Sequence, residues 1–139
     1  MSRFASLSPS RLIASTGLTL ALALGALAVP AATFARGGSA AIQATGSCTL
    51  HSTAKLKAKH DNGRIEVEFQ VDQNRNNRLW SVRVWDDGHR VFTGARRTVA
   101  PSGSFTLRLL LPNRAGVDTI GARAVNARTG EVCRATLNV

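Results

Sequence analysis

The chain has 139 residues, 18 Lys and Arg against 8 Asp and Glu, a formal charge of +10, and 44% hydrophobic residues. That length and apolar content support one domain with an adequate core and exclude two domains of ordinary size. The basic excess favours anionic partners.

Arg3 and Arg11 open the chain with positive charge, and residues 12–29 follow without any charged side chain. About 18 apolar residues is the lower limit for a helix that crosses a bilayer, so an uncleaved N-terminal anchor is the competing reading. The exit from the run favours export. Pro30 breaks the helix, Ala31, Ala32 and Ala35 supply small side chains for a signal peptidase, and no cluster of Lys or Arg follows closely to stop transfer. Residues 1–35 are therefore predicted to be a secretory signal peptide cut after Ala35, with Ala31 as the alternative site. Removing 35 of the 139 residues leaves 104, and Arg3 and Arg11 leave with them, so 16 basic residues face 8 acids at a net charge of +8. The expected location is extracellular, free or associated with the cell wall, with no membrane contact after cleavage.

Residues 36–47 are small, Gly-containing and without period, and are expected to form a flexible leader. Cys48 and Cys133 lie near the two ends of the remaining chain. An even cysteine count in an oxidising compartment reads as a disulfide, here expected between Cys48 and Cys133. Closing so long a loop contributes about 4–5 kcal/mol on the chain-entropy model. Zinc is a poor alternative, because His51, His60 and His89 do not group with the cysteines at ligand spacing.

From residue 48 to 139 the period is two nearly throughout, and short runs are separated by Gly, Asn, Asp or Pro, so the class is all-β. Asn62 and Gly63 form a two-residue signal for a type I′ hairpin. Counting outwards from it pairs Asp61 with Arg64, His60 with Ile65, Lys59 with Glu66, Ala58 with Val67, Lys57 with Glu68 and Leu56 with Phe69. One face of this hairpin is apolar and the other sets opposite charges across the strands. Lys55, Lys57 and Lys59 therefore read as a salt-bridged, solvated face and not as a polyanion patch. Further strands are expected over 79–85, 90–93, 105–111, 119–126 and 131–139. With the hairpin they make seven, which is the pattern of a single antiparallel β-sandwich of immunoglobulin type with one disulfide. Phe105, Leu107, Leu109 and Leu111, then Ile120, Ala122 and Ala124, then Cys133, Ala135, Leu137 and Val139 supply its core faces.

The stretch GARRTVAPSGSFTLRLLLPNRAGVDTIGARAVNARTGEVCRATLNV, residues 94–139, carries a Gly and Thr step into Ser102, Gly103, Ser104 and Phe105, a turn at Gly116 and Asp118, and a last hairpin at Thr129 and Gly130. In this it resembles the second half of bacterial Ig-like and fibronectin-type domains. Small exported single-domain proteins of actinobacteria look similar over nearly the whole mature chain, VDQNRNNRLW included. The resemblance implies a scaffold used for extracellular binding, adhesion or spacing, and it carries no site residues with it.

On the strand at 79–85 the set Trp80, Val82 and Val84 is the better core face, which turns Ser81, Arg83 and Trp85 outward. In the usual strand order Arg123 and Arg134 join them, out of phase with the core positions of their own strands. A Trp beside several guanidinium groups can hold a sugar ring or an anionic polymer. Alternatively, Trp85 tucks under the Asp86, Asp87, Gly88 turn and the arginines only solubilise. The segment from Asp72 to Asn77 begins with the spacing of a calcium loop, but it lacks the sixth-position Gly, and Arg83 stands where a bidentate Glu belongs. It is expected to be an ordinary polar connection. No nucleophile, paired-carboxylate or Ser-His pattern stands out, so no catalytic residue is assigned. No metal, nucleotide or flavin signature appears either.

The leading expectation is a monomeric, non-catalytic binding module that uses Arg83, Trp85, Arg123 and Arg134 on an anionic glycan or cell-wall polymer. The alternatives are a protein-binding or inhibitor domain that uses its loops, such as 74–78 or 96–104, and a spacer without a ligand. Export argues against nucleic acid as the physiological partner.

Overall fold

A computed structural model describes residues 39–139; the predicted signal peptide lies outside them. The described residues form nine strands and no helix: β1 (Ile42–Thr45), β2 (Ser47–Cys48), β3 (Thr53–Asp61), β4 (Arg64–Asp72), β5 (Leu79–Asp86), β6 (His89–Arg97), β7 (Ser104–Pro112), β8 (Thr119–Asn126) and β9 (Val132–Asn138). They make a sandwich of two antiparallel sheets, one ordered β1-β3-β4-β7 and the other β2-β9-β8-β5-β6. The seven expected strands are all present, three in the first sheet and four in the second.

The first hairpin pairs as the turn dictates, from Asp61 opposite Arg64 to Leu56 opposite Phe69 and on to Thr53 opposite Asp72. Asn62 at φ 49° and Gly63 at φ 75° supply the two positive angles of the turn. Alternation then buries Leu56, Ala58, Ile65, Val67 and Phe69 against Trp80, Val82, Val84, Leu107, Ile120 and Ala124 from the rest of the sandwich. Each large apolar side chain withdrawn from water in this way contributes about 1.5–3 kcal/mol. Trp80 is fully buried, as its phase on the strand requires. Its ring packs 6.2 Å from that of Phe105, and its indole N–H donates to Gln73 Oε1 at 3.3 Å.

Two expectations need correction. Residues 36–47 are not a flexible leader throughout, because β1 pairs with β3 from Ile42 opposite Ala58 to Thr45 opposite Lys55, and Ser47 pairs with Arg134. The small side chains of this segment hide its period while letting the backbone lie along two sheet edges. Gly46 is the crossing point between the sheets. A Cβ there would come 2.5 Å from the Arg134 carbonyl oxygen, so only Gly lets the chain pass. The sixth strand also runs to Arg97, well past the expected 90–93. Gly94 reads as a break in sequence, but the Phe92 ring lies over it, where a Cβ would meet the ring at 2.8 Å.

Cys48 and Cys133 are joined, at a Cα–Cα distance of 4.0 Å, and stand directly opposite each other on β2 and β9. The bridge thus pins the two-residue β2 to the last strand of the same sheet. Replacing both with Ser (C48S/C133S) should lower stability by about 2–5 kcal/mol, read as a lower urea midpoint with the β spectrum retained.

Candidate binding face

The outer face of the second sheet is set by three ladders. On β5 the inward residues are Trp80, Val82, Val84 and Asp86, so Ser81, Arg83 and Trp85 point away from the core. On β8 the buried set is Ile120, Ala122, Ala124 and Asn126, which leaves Gly121, Arg123 and Val125 outward. On β9, Cys133, Ala135 and Leu137 are buried and Arg134 and Thr136 are exposed.

Register converts these alternations into a row. Arg83 stands opposite Arg123, and Arg123 stands opposite Arg134, which in turn faces Ser47 on β2. Paired Cα atoms in antiparallel sheets lie about 4.5–5.5 Å apart, so three guanidinium stems cross the sheet within about 10 Å. Like charges placed directly across strands are destabilising. Among the described residues none of the three arginines takes part in an ion pair. One step along the sheet, Trp85 is half-buried between Arg90 on one side and Gly121 on the other, with Thr136 beyond. A Cβ at Gly121 would meet only the Thr136 hydroxyl, at 4.0 Å. Trp85 therefore adjoins a flat strip of backbone bordered by arginine. A bulge in the β5–β6 ladder falls between Val84 and Trp85, at the edge of this patch.

The opposite outer face behaves in the contrary way. Lys59 Nζ lies 2.8 Å from Glu66, Lys57 Nζ 3.8 Å from Glu68, and Arg108 donates to Glu68 at 2.9 Å. The hydrogen bond between Lys59 and Glu66 holds the ammonium above its ordinary pKa and the carboxyl below its own. Lys57 and Lys59 are thus neutralised across the strands, as the hairpin register required, whereas Lys55 stands opposite Gln70 and takes part in none of these ion pairs.

The loops at one end enclose a cleft of about 310 Å³ lined by Ser52, Gln73, Arg75, Arg78, Arg128 and Glu131. Sequence reasoning did not find this cleft, because its residues come from three separate connections. Glu131 accepts from both the backbone N–H and the hydroxyl of Ser52 at 2.8 Å, and Thr98 Oγ1 donates to the Arg75 carbonyl at 2.6 Å. The Asp72 carboxylate caps its own loop by accepting from the Asn74 N–H at 2.8 Å, as a polar connection does. A further group was also missed: Asp86, Asp87 and Asp118 converge at the other end of the sandwich. A signal for it exists in the sequence, since Asp118 continues the inward phase of Ile120, Ala122 and Ala124, and Asp86 that of Trp80, Val82 and Val84.

Compared with family models, with curated proteins and with solved structures, the chain gives no match.

Arg123 stands between two like charges, so Arg123→Thr should leave the fold intact and raise its stability by a few tenths of a kcal/mol at low ionic strength. The gain should shrink as salt is added, which urea titrations at two salt concentrations will read. Destabilisation by this substitution would mean that Arg123 is needed for packing.

Proposed function

We propose that this chain is an exported, non-catalytic Ig-like binding module that holds an anionic polymer, an envelope or extracellular glycan, on the outer face of its second sheet. The observation that carries this reading is the in-register row Arg83, Arg123, Arg134, with no ion pair among the described residues and with Trp85 beside it. A protein that gained nothing from the row would relieve the repulsion with an acid, as the other face does with Glu66 and Glu68. Anionic groups spaced along a polymer would supply the missing counter-charge, and the indole gives a sugar ring a surface to stack on. The apolar leader followed by small residues supports export, and a disulfide is compatible with an oxidising compartment. The cleft with Arg75, Arg78 and Arg128 favours a second reading, in which the loops at that end grip a protein ligand.

The test is retention of the purified protein on cell wall and on immobilised anionic glycans at low and high salt. The triple variant Arg83→Thr, Arg123→Thr, Arg134→Thr should bind at least about tenfold more weakly than wild type. A control that removes equal charge from the outer face of the first sheet, Lys55→Thr, Arg64→Thr, Arg108→Thr, should retain most of the affinity. Equal losses in the two variants would reduce the effect to net charge. Binding that survives high salt and both variants would point to the loop reading.

A further inference from the structure

The two ends of the sandwich treat their buried polar groups differently. At the end built from the β4–β5, β6–β7 and β8–β9 connections, Asn126 donates to Gln73 at 3.0 Å, Thr98 bonds Arg75, and Glu131 bonds Ser52. At the other end, beside the β5–β6 turn and the β7–β8 loop, Asp86 is 0% and Asp118 1% exposed. None of their four carboxylate oxygens has a hydrogen-bond partner. An ionised carboxylate buried without donors is among the most unfavourable arrangements in a protein, so something else must stabilise this pair.

The geometry is built and not incidental. Asp86 ends the inward row of β5. Asp118 is fixed by two backbone bonds of 3.0 Å with Val139, one in each direction. Asp87 lies in the turn with Gly88, at φ 48° and 78°, and is clamped to β8: its N–H donates to the Thr119 carbonyl at 3.0 Å and its Oδ1 accepts from the Thr119 N–H at 2.8 Å. One oxygen from each of the three carboxylates lies within 4.8 Å of the others. Two oxygens bound to one calcium ion at 2.3–2.6 Å are separated by about 5 Å at most. Arg114 Nη1, 4.0 Å from Asp86 Oδ2 and itself half exposed, is too distant to donate a hydrogen bond. Burial pushes the Asp86 carboxyl above its ordinary pKa, and Asp118 and Asp87 push it further, against Arg114 and His89. The side chains alone therefore do not favour the charged form of Asp86.

We propose that Asp86, Asp87 and Asp118 bind a hard divalent cation of the calcium class, at a site separate from the arginine face. The donor set is all oxygen, which suits calcium and not zinc or copper. Asp87 is exposed, so water can complete the coordination shell from its side. The site would lock the β5–β6 turn and the start of β8 to each other. The competing arrangement is a proton shared between Asp86 and Asp118.

The experiment titrates EDTA-stripped protein at neutral pH with calcium, and separately with terbium as a luminescent probe. Trp85, the residue before Asp86, serves as the antenna. Terbium emission under tryptophan excitation, its displacement by calcium, and a rise in Tm of about 5 °C or more in millimolar calcium are expected. Asp87→Asn keeps the turn geometry and Asp118→Asn keeps the buried shape; each should weaken terbium binding at least about tenfold. Because Asp87 is exposed and Asn tolerates its backbone angle, that variant remains informative even if Asp118→Asn folds poorly. Absence of both emission and Tm shift in wild type would overturn the site and leave the shared proton. A response of equal size in both variants would overturn it as well.

Discussion

The pairing of β5 with β8, from Trp80 opposite Asn126 to Asp86 opposite Ile120, sets the chemistry of both the inside and the outside of this domain. With the register fixed, alternation leaves no freedom. Val82 and Ala124 meet in the core, Arg83 and Arg123 meet on the surface, and the inward phase of each strand ends in an aspartate at the same end of the sandwich. A slip of one residue would bury Arg83 and expose Trp80, so the cost of burying an unpaired charge and the gain from burying a large indole both enforce the observed ladder. The arginine row and the aspartate cluster are thus two consequences of one strand pairing.

The remaining strands extend this unit. β9 adds the third arginine and carries Cys133, whose bond to Cys48 ties the beginning of the domain to its end. β1 and β2 reach both sheets by crossing at Gly46, so the N-terminal segment covers one edge of each sheet. As edge strands of four and two residues, β1 and β2 offer little backbone for association, and the opposite outer face contributes lysine–glutamate pairs that compensate one another. Against that paired surface, three arginines stand in register without an ion pair among the described residues.

Much of this was legible in the sequence, and the exceptions have physical reasons. The Asn62–Gly63 turn fixed the first hairpin because its geometry admits one register, and the salt-bridged lysines followed from it. The outward positions of Arg83, Arg123 and Arg134 followed from period two on strands with clear apolar faces. Their meeting in one row did not, since it depends on strand order and on offsets between distant ladders. β1 escaped notice because it is a four-residue edge strand, largely exposed and without an apolar alternation to mark it. Gly94 looked like a strand end when it is the space that Phe92 fills. Asp86 and Asp118 stood in the core phase of their strands, but two aspartates at strand ends resemble ordinary turn residues until the fold brings them together.

The most direct test of the proposed binding face is to watch its own nuclei. An NMR titration with a soluble anionic oligosaccharide would follow the guanidinium Nε–H signals of Arg83, Arg123 and Arg134 and the indole N–H of Trp85. Shifts concentrated on these four groups and on the outward residues of β5, β8 and β9, saturating with ligand, are the predicted result. Shifts centred on Arg75, Arg78 and Arg128, or spread evenly over every basic side chain including Lys55 and Arg64, would contradict it.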